Sequence, residues 1–193
     1  MRLALLTLSL IFRAGAADYH VELAADGTKI GWTLGDVIHT VHGTFKLKCG
    51  DIHFDPETGK ATGAVVVDAA SGESGNSTRD SRMHKTVLES AKYSEISFTP
   101  DAMEGKLTFA GKSSVKLHGT LKIHGAVHEI MAPAEVTIKD GQISTDLKFD
   151  IPYVAWGMKD PSTFLLKVSK SVAIEMEATG RISPSGTVGA STR

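Results

Sequence analysis

Only one cysteine, Cys49, occurs in the 193 residues. No intramolecular disulfide can form, and Cys49 lies too far from the N-terminal segment to be a lipid-anchoring cysteine. Its alternation with Phe45 and Leu47 predicts a small hydrophobe on an inward face. Charge of one sign is also missing. The chain carries 21 basic and 22 acidic residues, so the totals show neither a nucleic-acid footprint nor an acidic tail, and no nucleic-acid partner is expected. After the first residues, no apolar run approaches the roughly 20 needed for a transmembrane helix. Catalytic signatures are scarce as well. There is no G-x-S-x-G elbow and no activating base beside Cys49. Gly72-Glu-Ser-Gly75 lacks the lysine and the strand–loop–helix spacing of a phosphate loop. These absences argue against an enzyme, and no cofactor is expected. Internal repeats of 20–50 residues are absent too.

What is present begins at the N-terminus. Arg2 is a minimal basic region, Leu3 to Phe12 is apolar and uncharged, and Ala14-Gly15-Ala16 has the small-residue pattern of a signal-peptidase site. Residues 1–16 are therefore expected to be a signal peptide and the protein to be periplasmic or secreted. Cleavage removes Arg2 and Arg13, leaving 19 basic against 22 acidic residues. Residues 17–182 form the expected domain. Residues 183–193, which include Ser183-Pro-Ser-Gly, lack periodicity and are expected to be a flexible tail.

Period-2 alternation dominates the domain. Phe45, Leu47 and Cys49 alternate with lysines. Val115, Leu117, Gly119, Leu121 and Ile123 alternate with Lys116, His118, Thr120, Lys122 and His124. Val172, Ile174, Met176 and Ala178 alternate with Glu175, Glu177 and Thr179. Such strands bury one face and wet the other, as in antiparallel sheets. Turn signals at Asp26-Gly27, Pro56-Glu-Thr-Gly59, Ser71–Gly75 and Asp140-Gly141 separate them. Eight or nine strands of this kind predict an all-β sandwich or closed barrel, and an eight-stranded barrel is just wide enough for one slender ligand. The same inward residues could fill a solid barrel or line a hollow one.

One segment departs from this pattern. Residues 78–91 read as a short helix, with Ser77 and Asp80 as a capping-box-like start. On a wheel of 100° per residue, Met83, Val87, Leu88 and Ala91 share one face. Arg82, Lys85, Thr86 and Glu89 fall opposite, with Lys85–Glu89 an expected i,i+4 ion pair. Asp80 and His84 fall within the apolar arc, four apart, as an expected polar pair.

The histidines do not make a convincing metal centre. His118 and His124 lie six positions apart on one strand, roughly 20 Å, while zinc ligands must converge within about 2.1 Å of the ion. His39-x-x-His42 has no third ligand in sequence.

Several ordered segments carry a resemblance: His39-Thr-Val-His-Gly-Thr-Phe45, Arg79-Asp80 leading to Tyr93-Ser-Glu-Ile-Ser-Phe98, Leu121-Lys-Ile-His-Gly125, and Tyr153-Val-Ala-Trp-Gly-Met-Lys-Asp-Pro-Ser162. Over about residues 18–182 the chain resembles the YceI-like domain family. That resemblance implies an exported, lipocalin-like antiparallel β-barrel with one short helix covering an opening. It also implies a long amphiphile in the bore, polyisoprenoid or fatty-amide-like. Val87-Leu88-Glu89 match the family's bulky-bulky-acid run. His84 falls later than the family spacing, and Ser94 replaces a usual proline.

The expected function is thus carriage or sequestration of an isoprenoid-like or fatty-acyl lipid. The expected lining is Val41, Phe45, Leu47, Val87, Leu88, Phe98, Leu121, Phe149, Trp156 and Phe164, with His39, Asp80 and His84 as polar candidates for the headgroup. The alternatives are a hydrolase acting on a bound lipid and an interaction barrel without ligand. A homodimer through a strand edge or barrel face also stays open.

Overall fold

The computed structural model describes residues 18–35, 39–164 and 167–185. The expected signal peptide and all but the first residues of the expected tail lie outside them. Nine antiparallel strands are formed: β1 (Tyr19–Leu23), β2 (Lys29–Gly35), β3 (Thr40–Phe54), β4 (Ala61–Glu73), β5 (Glu95–Glu104), β6 (Gly111–Ile123), β7 (Ala126–Lys139), β8 (Gln142–Ile151) and β9 (Val172–Pro184). They follow the order β1-β3-β2-β9-β8-β7-β6-β5-β4, and β3–β4 pairing closes the sheet on itself.

Nine strands occupy eight positions around this barrel. Both β1 and β2 lie between β3 and β9: β1 pairs with the end of β3 (His20 opposite His53), and β2 with its beginning (Ile30 opposite Phe45). The Asp26-Gly27 signal therefore marks a bulged interruption of one stave, not a chain reversal. Gly27 N–H donates to Ala24 O at 3.2 Å, and Thr179 Oγ1 donates to Gly27 O at 3.1 Å across the gap. Residues 56–59 and Asp140-Gly141 are true hairpins, whereas residues 71–73 lie within β4 and the chain continues into the helical segment. Asp140-Gly141 and His124-Gly125 each have positive φ at both residues (52° and 73°, 51° and 77°), the mirror-image turn whose twist suits antiparallel strands. Closure is complete in ladder order, although the β7–β8 pairing runs only from Ala134–Leu147 to Lys139–Gln142, so the first half of β7 pairs on its β6 side alone.

Alternation places the side chains as the sequence pattern predicts for β6 and β9. In β3 it breaks. A bulge between Leu47 and Cys49 puts one extra residue on that strand, so Lys48 and Cys49 both face out and Gly50 turns in. Cys49 is consequently exposed rather than buried. Parity read straight through a bulge assigns every later side chain to the wrong face. A second bulge, between Pro100 and Ala102 in β5, accommodates a proline that a regular central strand would reject. β9 runs through Pro184, so Ser183 and Pro184 pair with β1 instead of belonging to a tail.

Between β4 and β5 the chain forms helix α1 (Ser77–Arg82) and a single π-turn (Met83–Val87). Met83, Val87 and Leu88 from this segment pack against Leu121, Ile123, Phe98 and Phe149 across one barrel opening. At the other end Val21, Phe54, Ala61, Val115, Val136 and Ile138 form a second buried core cluster. No helix among the described residues is long and apolar enough to cross a membrane.

Candidate functional site

Inward alternation on eight staves creates a cavity of about 630 Å³, within the range that holds a small-molecule ligand. The barrel is hollow. Val41, Phe45, Phe98, Leu121 and Phe149 face it from β3, β5, β6 and β8, and Val87 and Leu88 roof it. These seven members of the expected lining are brought together. Trp32, Leu34, Tyr153 and Met158 join them; the Ile30–Trp32–Leu34 alternation is a signal that could have identified the first two. The polar lining is sparse: Thr145 in the wall, and Asn76, Thr78, Arg79 and Arg82 at α1.

The remaining expected residues sit elsewhere. Leu47 is buried in the wall with Ile30 and Val65 but does not line the cavity. Trp156 stacks on His128 at 4.0 Å between ring centroids and packs behind the roof. Phe164 is 95% exposed, and His39 is exposed as well. Asp80 and His84 are absent from the lining, and they do not hydrogen-bond each other. Asp80 accepts a hydrogen bond from Ser74 Oγ, which is the main cause of its lowered pKa. His84 places Nε2 2.8 Å from Gly72 O and Nδ1 3.0 Å from Ser90 Oγ, fastening the roof to β4.

The polar roles are thereby exchanged: Arg82, expected on the outside, touches the cavity together with Arg79, and the expected inward pair holds the roof. Helical geometry explains the exchange. The helix is shorter than residues 78–91, and its cap is Asn76, whose Oδ1 accepts from Arg79 N–H at 3.0 Å, not Ser77. Leu88 N–H then donates to Met83 O at 2.9 Å, an i→i−5 bond. That extra residue rotates everything after Met83 relative to a regular wheel, so the apolar face centres on Arg79, Met83 and Val87. Arg79 is occupied locally, donating from Nε to Ser74 Oγ at 2.7 Å and from Nη2 to Ser74 O at 3.0 Å. The Arg82 guanidinium makes no hydrogen bond or ion pair to another described residue.

Two latches finish the roof. Glu89 leaves the π-turn with φ of 47° and meets His124, itself at φ 51°, with 2.7 Å between Oε2 and Nε2. The predicted Lys85–Glu89 pair is displaced by this contact. Left-handed backbone in two non-glycine residues is costly, so the hairpin turn and the roof are held in conformations that favour their mutual bond. The second cover is the β8–β9 connection, where Tyr153 OH donates to Ser169 O at 2.8 Å and Ser169 N–H donates to Gly35 O at 2.7 Å. Burial, aided by Asp160, pushes the Tyr153 phenol up to about 12, so it remains a neutral donor.

Other polar clusters lie on the outer wall. His118 is held between Asp101 (Nδ1, 2.6 Å) and Glu129 (Nε2, 2.8 Å), hydrogen bonds that raise its pKa. His20, Asp51 and His53 place one ligand atom each within 4.8 Å of one another. The His84–Ser90 contact resembles half of a nucleophile–base pair, yet Ser90 is 6% exposed and neither residue faces the bore. A substrate in the cavity has no line of approach to that hydroxyl.

A closed antiparallel barrel with an apolar bore, roofed by a short helix, defines the architecture. The YceI-like domain model matches residues 21–180, and the chain belongs to that family. Among solved structures it is similar to Burkholderia cenocepacia BcnA (17% identity, 81% of this chain and 98% of that chain, TM-score 0.67). A polyisoprenoid binding domain from Saccharophagus degradans implicated in plant cell wall breakdown is also similar (16% identity, 86% and 98% covered, TM-score 0.65). So is the Campylobacter jejuni YceI protein (26% identity, 75% and 86% covered, TM-score 0.59). No curated protein sequence matches significantly.

Proposed function

We propose that this protein is an exported carrier or sequestering protein for a single long-chain amphiphile of isoprenoid or fatty-acyl type. The observation that carries the reading is the cavity of about 630 Å³, predominantly apolar along its walls, with Thr145, Trp32 and Tyr153 the residues bearing polar groups away from α1. Transfer of hydrocarbon into such a bore gains about 0.8 kcal/mol per buried CH₂. A chain of a dozen methylenes therefore dominates the affinity, and the headgroup sets orientation. The polyisoprenoid binding domain among the structural neighbours supports the isoprenoid choice. The headgroup belongs at the α1 end, where Arg82 has a guanidinium to offer an acidic or strongly accepting group.

Extraction of the purified protein into organic solvent, followed by mass spectrometry, tests the reading. The expected result is one intact long-chain lipid per protein, and a lower yield from Val87→Trp, which fills the bore beneath the roof. Lipid-free protein that also fails to take up prenyl or acyl probes would end it. Export through residues 1–16 predicts recovery of a shortened chain outside the cytoplasm on cell fractionation.

A further inference from the structure

We propose that His20, His53 and Asp51 form a divalent transition-metal site on the outer wall of the barrel, remote from the bore. His20 on β1 stands directly opposite His53 on β3, and Asp51 lies two residues from His53 on the same outward face. The pairing register fixes these positions, so the three side chains arise from backbone that the closed barrel already holds in place. Both imidazoles turn the same nitrogen toward one carboxylate: His20 Nε2 is 2.7 Å from Asp51 Oδ2, and His53 Nε2 is 3.4 Å from Asp51 Oδ1. The rings lie parallel, with centroids 4.5 Å apart.

Bonds of about 2.0–2.1 Å in a tetrahedral site put neighbouring ligand atoms roughly 3.3 Å apart. The two imidazole–carboxylate separations bracket that value, and all three ligand atoms lie within 4.8 Å of one another, so small side-chain rotations bring them onto one ion. Convergence is what separates this cluster from His118. That histidine also has two carboxylates, but they occupy opposite ring nitrogens, so the three groups cannot surround one ion. His53 has a further feature of a ligand. Its other nitrogen, Nδ1, lies 3.4 Å from Ser185 Oγ, leaving Nε2 to face the ion, the arrangement by which outer partners orient metal-binding imidazoles.

Two imidazoles and a carboxylate suit Zn²⁺, Ni²⁺ and Cu²⁺ better than Mg²⁺ or Ca²⁺, with Cu²⁺ the tightest. Three protein ligands leave room for water. Glu22, opposite Asp51, is exposed beside the site, and Arg181 pairs opposite Glu22 on β9. The ion would brace β1 against β3 at the end of the barrel far from α1.

Calorimetric titration of the untagged full chain with Zn²⁺, and separately with Cu²⁺, tests this. The expected result is one saturable site per chain, tighter for Cu²⁺. Affinity should fall at least tenfold in each of His20→Gln, His53→Gln and Asp51→Asn, and stay unchanged in His118→Gln. Ion-dependent line broadening or shifts in amide spectra should centre on β1 and the end of β3. Binding that survives all three substitutions, or that saturates only at millimolar ion, overturns the proposal. All three positions are on the surface, and unaltered melting temperatures without metal would show that the variants are folded.

Discussion

At the end of the barrel where Tyr19 stacks between Phe54 and Phe109, the core residues are only 3–9% exposed. The end beneath α1 has residues just as buried, Leu121, Ile123 and Ile151 among them, but its largest inward side chains, Phe45, Met83, Phe98 and Phe149, stay half-buried. Both ends use the same alternating strands and the same kinds of apolar side chain. Val21, Phe54, Val115 and Val136 of the first end also line the cavity, so the bore runs toward both ends and is covered at one of them by α1 and the β8–β9 connection. Hydrophobic patterning dictates which side chains turn inward, and their summed size against the fixed barrel dictates whether space remains.

The largest effect that tests this contrast is a cavity substitution at each end. Ile138→Ala, at a buried position that does not line the cavity, should cost about 2–5 kcal/mol in urea unfolding. Val87→Ala, which enlarges an existing space, should cost about 1 kcal/mol or less while altering lipid uptake. Equal losses would dissolve the distinction. Next is Gly43→Ala at the roofed end. A β-carbon there would overlap the Trp32 indole and the Glu73 carbonyl oxygen, and backbone cannot yield as a flexible side chain can. A loss of about 1–3 kcal/mol is expected, with Trp32 fluorescence shifted as the ring is displaced from the bore.

Glu89→Gln weakens the latch to His124. Its stability cost should be about 1 kcal/mol, but release of a bound lipid should quicken several-fold in stopped-flow chase; unchanged release would show that the roof opens elsewhere. The smallest effect concerns His118, which serves neither end. Hydrogen bonds that His118 donates to Asp101, the larger cause, and to Glu129 raise its pKa, so its contribution is complete below about pH 6.5, the ordinary histidine value. That contribution fades as pH rises through the elevated value. The melting-temperature gap between the protein and His118→Gln should be wider at about pH 5.5 than at about pH 8.5, and a gap that widens with pH would reverse the assignment.

The barrel was legible because alternation in β6 and β9 is uninterrupted, and seven lining residues followed from parity and from the helical arc. The failures share a cause. Cys49 and the roles of Arg82, Asp80 and His84 were misassigned where one extra residue enters a regular period, a β-bulge in one case and a π-turn in the other. Nothing in local composition announces either insertion; each is imposed by what the segment must pack against. Leu47 and Trp156 were assigned inside correctly in kind, but whether an inward side chain meets space or another side chain depends on neighbours distant in sequence. The His20–Asp51–His53 grouping was invisible for the same reason, since only strand pairing brings position 20 beside position 53.

The shared stave formed by β1 and β2 also bears on the order in which the molecule is made. Its hydrogen-bonding partners are β3, close by in sequence, and β9, the last strand. Contacts across such a separation form late and slowly. Until β9 emerges, the sheet is an open ribbon with unpaired margins at β1, β2 and β8. Closure of the cavity therefore waits for β9, and removal of β9 should leave an aggregation-prone sheet rather than a barrel with a smaller bore.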